Sequence, residues 1–171
     1  IIKLSERIII MSILKAAVIS TALLNNHVID VLHCERGFSS IPTVLVLEAN
    51  GMISKDTISK GPASTYIKID GDWKLGGFPV KMLILREEDT FHHNAFPDLF
   101  HEAPGMAPYP RYELILEAKP NEVEDWYNKV IGKPKEHFLF ISDDTYHWKD
   151  DFPDAENLTS LNCTPDRIYG N

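Results

Sequence analysis

Apolar residues recur along the first part of the chain at Ile8, Met11, Leu14, Val18, Ala22, Ile29 and Leu32, near the roughly 3.6-residue period of an α-helix. This spacing predicts a helix over Ile8–His33, broken or kinked at Asn25-Asn26 and closed off by Gly37 and Pro42. Thr43–Ala49 (TVLVLEA) is a continuous apolar run rich in β-branched residues, which predicts a central strand buried on both faces. Asn50-Gly51 then reads as a turn.

The pattern next changes to alternation. In Ser64–Asp70, Thr65, Ile67 and Ile69 share one side, while Tyr66, Lys68 and Asp70 share the other. Gly71-Asp72 follows as a turn before Trp73, so a hairpin is expected. Gly76-Gly77 reads as a bend before Pro79. Val80–Arg86 (VKMLILR), Tyr112–Ala118 (YELILEA) and Glu136–Ser142 (EHFLFIS) read as further strands, with Tyr112, Leu114, Leu116 and Ala118 on one face.

Between the last two strands, Asn121–Ile131 is the best-defined helix. Val123, Trp126, Tyr127, Val130 and Ile131 form its apolar stripe, Asn121 and Glu124 match a capping box, and Gly132 and Pro134 stop it. Asp143–Asn171 shows no period and is expected to be an irregular tail. Together these elements predict an α+β fold. It is a mainly antiparallel sheet of about five strands, with the N-terminal helix and the helix over 121–131 packed on one face.

Size agrees with one domain spanning 1–171, since 171 residues suffice for a single core. The first residue is Ile1, and Met11 is a candidate start, so residues 1–10 carry no functional argument. The formal charge of −8 works against binding to nucleic acid or an anionic membrane surface. Lys3, Glu6, Arg7 and Lys15 interrupt the apolar N-terminal segment, which argues against a membrane span. A signal peptide starting at Met11 is the minority reading, because no small-residue cleavage site follows it. The two cysteines, Cys34 and Cys163, are too few for a disulfide framework. One long-range bridge stays open, but a reducing, cytoplasmic setting is the simpler expectation. Two sequons occur, Asn157-Leu-Thr159 and Asn162-Cys-Thr164, and they carry meaning only in a secreted eukaryotic protein.

Recognised nucleotide, zinc-protease and hydrolase motifs are absent. The segment Glu87–Pro110 is long for a connection and holds His92, His93 and His101 with Asp98 and Glu102. A short helix capped by Asn94 would put Asp98, His101 and Glu102 on one side, so His93, Asp98, His101 and Glu102 are the candidate metal ligands. Against this stands the ordinary fate of histidines in Pro-rich loops, which is solvation. Asp143–Glu156 interleaves carboxylates with aromatics. There Tyr146, Trp148, Asp150, Asp151 and Phe152 are candidates for meeting a basic protein partner, or for sealing the edge of the sheet. Adjacent His33 and Cys34 do not make a nucleophile, since neighbouring helical side chains point apart. Trp73, Tyr109, Tyr112, Trp126 and Tyr127 either line an apolar pocket or fill the core.

These readings leave the cofactor unknown and favour a non-catalytic binding or interaction protein of unknown partner. A homodimer paired through the apolar N-terminal helix is one form of it. The alternatives are a metal-dependent hydrolase centred on the 92–102 loop and a small-molecule binder with an apolar pocket.

Overall fold

The structure, a computed structural model, describes residues 21–34, 39–61, 64–86, 111–132, 139–143 and 148–163. Among the described residues three α-helices, α1 (Thr21–Leu32), α2 (Ile41–Ala49) and α3 (Pro120–Val130), accompany one antiparallel sheet of seven strands. Its strands are β1 (Ile58–Lys60), β2 (Thr65–Lys68), β3 (Lys74–Leu75), β4 (Phe78–Arg86), β5 (Arg111–Leu116), β6 (Leu139–Ser142) and β7 (Thr159–Cys163). The α+β class and the antiparallel sheet are as expected, but the strands number seven rather than five.

Helix α1 buries Leu24, Val28, Val31 and Leu32 on one stripe and runs unbroken through Asn25-Asn26. The expected break is absent because Asn25 has partners that only the folded state supplies. Its Oδ1 accepts from the Trp73 indole N–H at 2.9 Å, and its Nδ2 donates to the Lys74 carbonyl at 2.9 Å. Two tertiary hydrogen bonds outweigh a few tenths of a kcal/mol of helix propensity, roughly the scale on which asparagine and alanine differ. Residues 8–20 of the expected helix lie outside the described residues.

Thr43–Ala49 is helical, which corrects the expected central strand. Pro42 stands in the first turn of α2, where its missing N–H costs nothing. Thr43, Val44, Val46 and Leu47 are buried while Leu45 and Glu48 are exposed, which is the stripe of a helix lying on a core. Seven consecutive residues are too few for an almost wholly apolar run to reveal its own period, and β-branched content then favoured the wrong element. Asn50-Gly51 closes the helix rather than a hairpin. Asn50 donates from both its backbone N–H and its side chain to the Val46 carbonyl, and Gly51 is left-handed.

The sheet order is β1-β2-β4-β5-β7-β6, with β3 paired to the start of β4. Gly76-Gly77 is the two-residue turn of the β3–β4 hairpin, with Leu75 opposite Phe78. Both glycines have positive φ, +63° and +92°, as a turn matching the strand twist requires. A Cβ on Gly76 would overlap the Trp126 indole, so this glycine also lets α3 approach the hairpin.

The largest departure from expectation is β7. The stretch expected to be an irregular tail contributes a strand that lies between β5 and β6 and pairs with both. Strands β5 and β6 are each antiparallel to β7 and so run parallel to one another, linked through α3. A short strand of mixed Thr, Ser, Leu, Asn and Cys carries no clear alternation, because Thr159 and Ser160 are buried as polar residues. Thr159 Oγ1 donates to the Ala118 carbonyl at 2.7 Å, which makes that burial tolerable.

Helix α3 is capped by Lys119 rather than Asn121. The Lys119 N–H donates to the Glu122 carboxylate at 3.0 Å, and Pro120 takes the first helical position. Val123 and Tyr127 are its buried anchors, while Val130, expected in the stripe, is 47% exposed.

All three helices share one core with one face of the sheet, which contributes Ile67, Leu83, Leu85, Tyr112, Leu114 and Leu116. Two buried phenols stitch these layers together. Tyr112 is 3.1 Å from the Thr43 hydroxyl, and Tyr127 donates to the Leu32 carbonyl at 2.7 Å. Burial raises the pKa of both. An unfolded tyrosine ionises near pH ~10. Above that pH the unfolded chain releases protons that the folded phenols retain, so the native state loses stability as pH rises past it. We expect tyrosinate absorbance from Tyr112 and Tyr127 to appear together with loss of tertiary fluorescence in an alkaline titration. Their ionisation well before unfolding would contradict this packing.

The second face of the sheet has its own smaller cluster of Met82, Ile84, Ile115 and Leu158. Residues 148–158, between β6 and β7, cross this face and lay Trp148, Phe152 and Ala155 on it, with Tyr66 beside them. The Tyr66 and Trp148 rings sit 5.4 Å apart, in the range of a favourable aromatic pair.

Candidate functional site

Strand alternation decides what the second face carries. On β4, Leu83 and Leu85 enter the helical core, so Met82, Ile84 and Arg86 face the other way. On β5, Tyr112 and Leu114 enter the core, leaving Arg111, Glu113 and Ile115 on the second face. Ser160 of β7 and Tyr66 of β2 share that face with them. At one end of the apolar cluster, Arg86, Arg111, Glu113 and Ser160 therefore form a polar group.

Arg86 is the last residue of β4 and Arg111 the first of β5, and the two are register partners across the ladder. Glu113 is only 4% exposed, yet each carboxylate oxygen has a donor. Oε2 accepts from the Arg111 guanidinium and Oε1 accepts from the Ser160 hydroxyl at 2.7 Å. Ser160 and Arg111 thus hold the carboxylate from two sides. The Arg111 side chain is 29% exposed, but its Nε is buried without a hydrogen-bond partner. Arg86 donates to the Ser64 hydroxyl at 3.4 Å. Burial lowers the Arg86 pKa, the Arg111 charge lowers it further, and Tyr66 works in the opposite direction.

Like charges directly opposite one another on adjacent strands repel. Glu113 pairs with the Arg111 guanidinium and so offsets its charge beside Arg86. Guanidinium forks match carboxylate and phosphate groups geometrically, and such charge-assisted hydrogen bonds are the strong ones.

The expected metal ligands His93, Asp98, His101 and Glu102 lie outside the described residues. Among the described residues no group of three or more His, Cys, Asp or Glu side chains is placed to hold a metal ion. Of the expected partner-binding set, Tyr146 is also outside them. Trp148 and Phe152 are half-buried against the second face of the sheet. Asp151 pairs with Lys68 at 2.6 Å, the same ammonium lies 5.8 Å from the centre of the Phe152 ring, and Asp150 is exposed. Trp73, Tyr112 and Tyr127 are buried in the core, and Trp126 packs edge-on against Phe78, while Tyr109 is outside the described residues. Cys34 is joined to Cys163 in a disulfide, and His33 is exposed beside it. No described helix is long and apolar enough to cross a membrane.

Sequence reasoning missed Arg86, Arg111 and Glu113. A signal was present: Arg86 ends an otherwise apolar run, Glu113 interrupts one, and Arg86 and Arg111 flank the long stretch 87–110.

Comparison with protein-family models, with curated proteins and with solved structures returns no match.

Proposed function

We propose that this is a non-catalytic binding protein whose ligand presents an anionic group, carboxylate or phosphate, to Arg111 and Arg86, where β4 ends and β5 begins. The observation that carries this reading is the buried, unpartnered Nε of Arg111, directly across the ladder from a second guanidinium. A guanidinium in an ordinary structural ion pair has its nitrogens satisfied or solvated, and an orphaned buried donor calls for an explanation. An acceptor from a ligand would satisfy it. Glu113 and Ser160 would hold Arg111 in place, so little ordering would be left for binding to cost. The inward packing of Trp148 and Phe152 supports moving the binding surface from the 146–152 segment to this pair.

Calorimetric titration and thermal shift with inorganic phosphate, citrate and simple dicarboxylates, with chloride as the reference, test the reading. At least one oxyanion should bind and raise the melting temperature. Arg111→Lys keeps the charge and removes the fork, so it should weaken that binding roughly ten- to a hundredfold, as expected for a lost charge-assisted hydrogen bond. Arg86→Gln should weaken it similarly. If no oxyanion binds more tightly than chloride, the reading is wrong.

A further inference from the structure

The chain has only two cysteines, 129 residues apart, and the fold brings them together. Their Cα atoms are 5.5 Å apart, in the middle of the range a disulfide needs. Cys34 follows the end of α1 and Cys163 ends β7, and both are buried in the core between helices and sheet. A buried residue touches roughly 6–12 others. Two positions drawn at random from a chain of this length would therefore meet in about one case in twenty.

A second observation makes coincidence a poor account. Cys34 is the one described non-glycine residue with positive φ, at +57°. Glycine is the usual occupant of such a position after a helix, and another residue costs on the order of 1–2 kcal/mol there. A cysteine kept in that conformation against its own backbone preference is explained by what its sulfur is bonded to.

Disulfides of this buried, structural kind belong to oxidising compartments. In such a compartment of a eukaryotic cell the two sequons become meaningful, and the fold treats them differently. Asn157 is exposed in the connection just before β7, so a glycan there would project into solvent. Asn162 lies within β7, half-buried, opposite Glu113 on one neighbouring strand and Phe140 on the other. It directly precedes the bonded Cys163. A glycan on Asn162 would have to emerge from the interior of a sheet with a strand on either side.

We propose that the chain matures in an oxidising, glycosylating compartment, where Asn157, and not Asn162, carries an N-linked glycan and Cys34 is bonded to Cys163. In the transfer, the Asn157 side-chain nitrogen forms a bond to the anomeric carbon of a lipid-diphosphate-linked oligosaccharide. The bond from that carbon to the diphosphate oxygen breaks, the lipid diphosphate leaves, and the amide gives up one proton. In the oxidation, the two thiols lose two protons and two electrons to a disulfide-bearing oxidant, which becomes a dithiol.

The test is to express the full natural coding sequence in eukaryotic cells with no added leader. Thiols are alkylated during lysis in denaturant without reductant, so that buried free thiols also react, and sites are mapped by peptide mass after enzymatic deglycosylation, which converts a glycosylated asparagine to aspartate. The expected result is conversion at Asn157 alone and protection of both cysteines from alkylation. Asn157→Gln should abolish the glycan, and Asn162→Gln should leave it in place. Wild-type mapping decides the matter even if a variant fails to fold. An unmodified Asn157, a glycan on Asn162, or two alkylated cysteines would each overturn the proposal. Anion binding at Arg111 is measured separately on unglycosylated protein with the disulfide intact, so neither result decides the other.

Discussion

Replacing both cysteines (Cys34→Ala with Cys163→Ala) should lower the stability of the protein by about 4–5 kcal/mol. The estimate comes from the loop the bond closes. A crosslink spanning 129 residues removes roughly 5 kcal/mol of chain entropy from the unfolded state at room temperature. For a domain of this size that corresponds to a fall in melting temperature of very roughly 10–20 °C. The bond joins the chain just beyond α1 to a strand in the interior of the sheet, so it also ties the helical layer to β7 directly. Urea unfolding checks the effect in two ways. The midpoint should fall in the double variant, and the slope should rise, because an uncrosslinked unfolded chain exposes more surface. Wild-type protein in reductant should move in the same direction once the bond opens. Identical curves with and without reductant, with complete reduction verified by mass, would show that the crosslink contributes nothing.

The same strand shows why the fold was only partly legible in the sequence. Elements that bury one clear face could be read directly. Tyr112, Leu114 and Leu116 alternate as a strand should, the β4 run is apolar and long enough, and Val123 and Tyr127 sit a helical turn apart on α3. Elements whose reason for forming lies elsewhere could not be read. β7 has polar residues buried by a carbonyl of Ala118 and a carboxylate of Glu113, which lie more than forty positions away. Its place between β5 and β6 follows from long-range pairing, which no local pattern encodes. Helix α2 was misread because nearly every position in its short run is apolar, so the stripe that faces the core has no polar contrast to outline it. The break expected at Asn25 failed for the same kind of reason, since Trp73 and Lys74 supply what the local sequence does not.

The candidate site was legible only in outline. The stretch 87–110 stood out in the sequence, and the residues that flank it, Arg86 and Arg111, are register partners on adjacent strands. Recognising them needed the pairing of the strands, because nothing local says that two arginines so far apart in the chain face each other. The aromatic segment was legible as an alternative between a partner surface and a seal over the sheet. Trp148 and Phe152 pack as the seal.

Glu113 provides the sharpest test of how the site is built. Glu113→Ala should cost about 3 kcal/mol, the lower end of the range for breaking a buried ion pair, because Arg111 keeps some contact with solvent. The loss comes less from the attraction removed than from what is left behind. Arg111 then faces Arg86 across the ladder without its own carboxylate, and Ser160 loses the acceptor for its hydroxyl. The double variant Arg111→Leu with Glu113→Leu should be less damaging than Glu113→Ala alone, since it removes the stranded charge together with its partner. Phosphate separates a site built for stability from one built for a ligand. If the arginine pair receives an oxyanion, phosphate should restore a large part of the stability lost in Glu113→Ala, at concentrations where chloride restores none, because the anion takes over the role of the missing carboxylate. In the double variant the same phosphate should have no effect. Equal responses of the two variants to phosphate in urea unfolding would mean that the arginines form a structural ion cluster with no ligand to receive.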